Sequence, residues 1–132
     1  MKMTQAEYDA IQKKRAPTKQ QKIQALGRLK AGVMNNTEKA YAEHLEWLRH
    51  TNQIVWYRFE CMTFKLAHDT RYTPDFIVML PNGLLEAHEV KGYWADDARV
   101  KIKVAADIFP IKFIAIKKKS KKDGGGWQVE QF

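Results

Sequence analysis

The stretch from Tyr72 to Trp94, YTPDFIVMLPNGLLEAHEVKGYW, constrains the fold of this chain more than any other. Two apolar runs flank Pro81-Asn82-Gly83, the pattern of two strands joined by a turn. Asp75 follows Pro74 at the start of the first strand, and the second ends in Glu89-Val90-Lys91, closed by Gly92. Side chains alternate faces along a strand, so Glu89 and Lys91 point the same way. An acid and a lysine at the end of a half-buried strand lose hydration, and that cost points to chemistry. The competing explanation is an ordinary salt-bridged sheet surface.

Whether Asp75 joins them depends on the turn. Directly opposed residues of an antiparallel pair share a face, and one step of register reverses the relation. A two-residue Asn82-Gly83 turn pairs Pro81 with Leu84 and Asp75 with Val90. Asp75 then faces away from Glu89 unless a bulged residue intervenes. A three-residue Pro81-Asn82-Gly83 loop pairs Leu80 with Leu84 and sets Asp75 opposite Glu89. A shared site requires Asp75 and Glu89 on one face.

Pro74-Asp75, thirteen intervening residues and then Glu89-Val90-Lys91 resembles the core of the PD-(D/E)XK nuclease superfamily. Glu38, on a predicted helix, fits the additional acid that many members carry. The likeness covers roughly residues 35 to 116 and is strongest toward small phage-borne endonucleases, including those that cut branched DNA such as Holliday junctions. The motif is short; its strand, turn and strand context, with a helix on each side, gives it weight.

The resemblance implies an α/β restriction-endonuclease-like domain, with a mixed central sheet flanked by helices, that hydrolyses DNA. It implies Mg2+ or Mn2+, hard cations that take oxygen ligands and lower the pKa of bound water. Asp75 and Glu89 are the expected direct ligands, and Glu38 the ligand of a second metal or of a metal-bound water. The Val90 carbonyl is the expected third ligand, since a strand end can leave it unpaired. Lys91 is expected to position or deprotonate the attacking water and to stabilise phosphate charge. A homodimer would present two such sites to two strands, and no dimer interface is legible in the sequence. A non-catalytic DNA-binding protein and a ribonuclease are the alternatives.

The chain has 132 residues, 45% of them hydrophobic, enough for one domain with a real core. The net charge of +8 favours polyanions, and no basic amphipathic helix with a bulky aromatic face argues for a membrane. Without an apolar run of spanning length or an N-terminal signal segment, the chain is expected to be soluble and cytoplasmic, in a host cell if phage-encoded. Cys61 is the only cysteine, which excludes an internal disulfide and a thiolate cluster; it is expected to be a small buried hydrophobe.

In chain order, a basic helical arm is expected over residues 1–34 and the nuclease-like core over 35–132. Thr4-Gln5-Ala6-Glu7 has capping-box spacing, with a helix ending near Arg15. Ile23, Leu26 and Leu29 make a second helical stripe stopped near Gly32. Asn35 to Thr37 offer N-caps for a helix reaching His50, with Glu38, Tyr41, Ala42, Leu45 and Arg49 on one face. Asn35-x-x-Glu38 is also a capping pair, so Glu38 has a structural reading beside the functional one. Residues 54–60 and 62–66 read as strands, or as one strand with a bulge near Cys61, and Ala67 to Arg71 as a loop. A helix follows over 95–109, then strands over 113–116 and 127–132.

Nucleic-acid contacts are expected from the run Lys117, Lys118, Lys119, Lys121 and Lys122, read as a loop tip before a flexible Asp123-Gly124-Gly125-Gly126 connection. Tyr93 and Trp94 could stack on an exposed base or pack in the core. Lys101 could reach a phosphate or snorkel to water. The four histidines have no zinc-site spacing, and His88 is expected to face away from Glu89, partly buried.

Overall fold

The computed structural model describes residues 4–14, 32–91 and 96–132. The chain divides into two compact units, Met1–Val33 and Met34–Phe132. In the first, α1 (Gln5–Lys14) opens on a capping box. The Thr4 N–H donates to Glu7 Oε2 at 3.0 Å, and the Glu7 N–H donates to Thr4 Oγ1 at 3.1 Å. The stripe at Ile23, Leu26 and Leu29 lies outside the described residues. Among the described residues no helix is long and apolar enough to cross a membrane.

The second unit is mixed α/β. Five strands form one sheet: β1 (Trp56–Phe59), β4 (Phe76–Met79), β5 (Leu85–Lys91), β6 (Lys112–Lys118) and β7 (Trp127–Gln131), hydrogen-bonded in the order β1-β4-β5-β6-β7. The β5–β6 pair is parallel and the other pairs are antiparallel. A parallel pair needs a crossover, supplied by helix α3 (Asp96–Ile108). A separate two-stranded hairpin, β2 (Phe64–Ala67) and β3 (Thr70–Tyr72), packs with α3 in one core.

Strand alternation sorts the sheet into two faces. Phe76, Val78, Val90 and Ile116 pack under Tyr41 and Leu45 of α2 (Asn36–His50). Ile77, Ala87 and Phe113 face the other way, against Ile102, Ala105 and the β2–β3 hairpin. Covering both faces explains why β4 reads as one continuous apolar run.

Several local expectations need correction. Residues 54–66 take the two-strand form of the two expected, in two sheets, broken where Glu60 takes a positive φ of 43°. The same turn leaves Cys61 exposed rather than buried. Of the stretch from Ala67 to Arg71 expected as a loop, Ala67 ends β2 and Thr70 and Arg71 belong to β3, because Asp69 at φ 58° closes a tight turn between the two strands. Arg49 is exposed on Glu46 and leaves the apolar face of α2 to Tyr41 and Leu45. Lys117 and Lys118 belong to β6, so the lysine run is not all loop. The glycine connection is a closed turn: Gly125 N–H donates to Ser120 O at 3.0 Å and Lys119 N–H to Gly126 O at 2.9 Å.

Candidate active site

The β4–β5 hairpin takes the three-residue loop. Met79 pairs with Leu85 and Phe76 with His88, and the Leu80 N–H donates to Leu84 O at 2.9 Å. Gly83 closes the loop at φ 86°, a left-handed conformation that glycine adopts without steric cost. One further step of this register sets Asp75 across from Glu89, on the face of Ile77 and Ala87. No bulge is needed.

Around that pair the structure gathers Glu38, Tyr72 and Lys91. Lys91 Nζ lies 3.1 Å from Glu89 Oε1, as their alternation along β5 requires. The buried Tyr72 hydroxyl donates to Glu89 Oε2 at 2.7 Å. Asp75 Oδ2 accepts the Val90 N–H at 2.8 Å. Glu38, Asp75 and Glu89 are all buried, each less than a tenth exposed.

Pro74 interrupts the ladder beside that bond. Val90 would pair with residue 74 in the continuing ladder, and Pro74 has no N–H to offer the Val90 carbonyl. Asp75 takes the Val90 amide with its side chain, and Pro74 leaves the Val90 carbonyl without its ladder donor. The Pro-Asp dipeptide thus opens the end of β5.

Glu38 makes the cap that its sequence position allows. Its Oε1 accepts the Asn35 N–H and its own N–H donates to Asn35 Oδ1, each at 2.8 Å, a complete capping box. From that first turn of α2 its carboxylate also acts on Asp75. Burial, then the charge of Glu89, drives the Asp75 pKa upward against the Val90 N–H; Glu38 adds to the rise, and the carboxyl is pushed up to about 9. Burial would lower the Lys91 ammonium, yet Glu89, Asp75 and Glu38 together raise it, so Lys91 stays charged at neutral pH. Burial and the adjacent Glu89 carboxylate raise the Tyr72 phenol, which remains a donor.

No family model, curated protein or solved structure significantly matches the chain. The site therefore has to be read from its own geometry.

Among the described residues no three acidic, histidine or cysteine side chains already converge as a ready metal-ligand set. Their oxygens are turned to Val90, Tyr72, Lys91 and Asn35. The donor set nevertheless fits a hard divalent cation, being all oxygen and short of positive charge. One lysine faces three buried acids, and the protein answers by holding a proton on Asp75. A divalent ion would displace that proton.

The remaining predicted residues divide. Tyr93 and Trp94 lie outside the described residues. Lys101 is half-buried on α3, apart from the charge interactions that Asp75 and Lys91 make among the described residues. Lys119, Lys121 and Lys122 are exposed at the β6–β7 turn. Lys117 and Lys118 point to opposite faces of β6 and cannot act as one patch. Tyr72 was missed by sequence reasoning; an aromatic with a polar tip three residues before Asp75 is the signal that could have found it.

His88 faces away from Glu89, as alternation requires. It is buried, with Nδ1 2.7 Å from the Tyr41 hydroxyl and Nε2 3.1 Å from Glu86 Oε1. This chain of hydrogen bonds anchors α2 to β5 behind the acid cluster, and so holds Glu38 in place.

Proposed function

We propose that the chain is a metal-dependent endonuclease of the PD-(D/E)XK superfamily, with a restriction-endonuclease-like fold, that hydrolyses DNA and selects branched substrates by shape. The observation that supports it is the meeting of Glu38, Asp75 and Glu89 beside Lys91 at an opened strand end. A salt-bridged sheet surface gains nothing from three buried acids around one lysine, since each carboxylate removed from water costs several kcal/mol at the order-of-magnitude level unless compensated.

Asp75, Glu89 and the Val90 carbonyl are the residues that would hold Mg2+ or Mn2+, with Glu38 acting through a water or a second ion. The bound cation would supply an acidified water and charge stabilisation for the phosphoryl group. The chain does the rest. Asp75, which would serve as a ligand only as the carboxylate, would give up its proton there. Tyr72 fixes one oxygen of Glu89 and so limits the directions in which that carboxylate can turn. Lys91 orients the attacking water and faces the charge that grows on the phosphate, a contribution largest in the transition state.

The net charge of +8 draws the chain to a polyanion. The described residues hold no helix or ribbon presenting a row of base-reading side chains, which favours recognition by backbone and shape. Cutting two strands at a branch calls for two sites, so the acting form is a homodimer. Cleavage of linear, nicked, flapped and four-way DNA with Mg2+, beside an RNA control, tests this reading. Preferential cutting of the flapped or four-way DNA supports it. Cleavage of RNA alone establishes a ribonuclease, and binding without cleavage a non-catalytic DNA-binding protein.

A further inference from the structure

The row of side chains beyond Glu89 on the same sheet face has no role in the chemistry described so far. Lys91 of β5 is in register with Lys117 of β6, and Lys117 with Gln128 of β7. Residues in register across neighbouring strands share a face, so all three project beside the acid cluster, spaced about 4.8 Å apart from strand to strand. Lys118, one residue on, projects to the opposite face with Trp127, which packs edge-on against Tyr41 at 5.1 Å.

Lys117 and Gln128 line a pocket with Ala115 and Glu130. Ala115, directly across from Glu89, keeps the floor low between the acids and the pocket. Glu130 is ionised there, and its charge is offset by an ion pair. Both of its oxygens are held by Arg99 of α3, at 3.1 and 2.6 Å, and the Arg99 hydrogen bond holds its carboxyl below the usual range. Among the described residues Lys117 makes no ion pair, so its charge is the one the pocket offers to a ligand. Gln128 adds an amide donor, and together they suit a singly charged phosphodiester oxygen.

We propose that Lys117 and Gln128 form a second phosphate subsite, which holds the nucleic-acid phosphate adjacent to the one being cleaved. This rests on the nuclease reading, whose scissile phosphate lies over Asp75, Glu89 and Lys91. A backbone crossing the strands at right angles meets the acids and Lys91 first, then Lys117 and Gln128. The subsite fixes strand direction across the acids, and it separates Lys117 in function from the lysines of the β6–β7 turn.

The test is binding and cleavage of DNA by the full chain carrying Lys117→Gln, Lys117→Arg, Gln128→Ala or, as the opposite-face control, Lys118→Gln. Affinity is measured over a salt series in EDTA, and cleavage in Mg2+ on strands with one phosphate beside the mapped cut replaced by a neutral methylphosphonate. Lys117→Gln lowers the salt slope by about one, whereas Lys117→Arg and Lys118→Gln leave it unchanged. The methylphosphonate weakens wild-type binding severalfold and the Lys117→Gln variant no further, since the two changes remove one contact. Gln128→Ala slows cleavage without changing the slope. An unchanged slope in Lys117→Gln, or equal losses from Lys117→Gln and Lys118→Gln, overturns the subsite while wild-type cleavage keeps the nuclease reading intact. A wild-type protein that cuts no DNA overturns both.

Discussion

Asp75 accepts the Val90 amide at 2.8 Å with its side chain, across the gap that Pro74 leaves in the β4–β5 ladder. That bond fixes the acid beside the end of β5 while its burial among Glu89 and Glu38 holds it protonated.

The metal-free protein should be more stable without this acid. An acid whose folded pKa lies near 9 and whose unfolded pKa is an ordinary carboxylate value keeps its proton in the folded state while losing it when unfolded. Stability is therefore lost as pH rises between about 4 and about 9. Asp75→Asn keeps an acceptor for Val90 and removes the titration. We expect it to be more stable than wild type in EDTA at pH 8, by about 0.5–2 kcal/mol, with the difference vanishing near pH 4. Thermal melts across that range check it; a variant less stable than wild type at pH 8 contradicts the pKa account.

Cation binding should release a proton. At pH 7, Asp75 gives up its proton when Mg2+ or Mn2+ takes its place, because ligands bind deprotonated. Calorimetry in buffers of different ionisation enthalpy should show about one proton released per site occupied. Asp75→Asn should release none.

The hairpin loop sets the register, so its length should matter more than its sequence. Deleting Asn82 leaves a two-residue turn and turns Asp75 away from Glu89. Cleavage should fall to background even if the domain still folds. Gly83→Ala meets no atom within 4 Å of the added Cβ and should cost only the left-handed backbone strain, about 1–2 kcal/mol. Its cleavage rate should stay near wild type. Melting curves and single-turnover rates of the two variants separate the effects.

Tyr72→Phe removes one donor from a buried carboxylate. The expected cost is about 1.5–3 kcal/mol of stability and about 10- to 100-fold in metal affinity or cleavage. A metal titration of cleavage activity distinguishes this from simple unfolding. The rate of the folded variant should recover in part as metal is raised.

The Glu89 and Lys91 pairing was legible from strand alternation. The place of Asp75 was not, because a left-handed Gly83 suits a two-residue Asn82-Gly83 turn as well as the three-residue loop that the structure takes. Glu38 was legible as a cap, which the structure shows, and as an acid placed near Asp75. Tyr72 was not legible as a partner of Glu89. Its strand is three residues long, preceded by polar residues, and pairs only with another short strand, so no local pattern announces it. The lysine run misled for the opposite reason. Five like charges read as a loop, yet β6 continues through Lys118 because β5 and β7 flank it on both sides.

Lys91 carries a different kind of expectation. Lys91→Ala should slow cleavage far more than it weakens DNA binding in EDTA, since its charge is used chiefly as the phosphate gains charge. Equal losses in binding and rate would place Lys91 among ordinary phosphate contacts.

The most direct test of the central claim is single-turnover cleavage of a four-way DNA junction by wild type and Glu89→Gln, each with Mg2+ and with EDTA. The site described here predicts cutting by the wild type in Mg2+ alone. It predicts no cutting by Glu89→Gln in either condition, with DNA affinity equal to or tighter than wild type after loss of one negative charge. Cutting by Glu89→Gln at the wild-type rate in Mg2+, or by the wild type in EDTA, would contradict a metal-dependent site built on Asp75, Glu89 and Lys91.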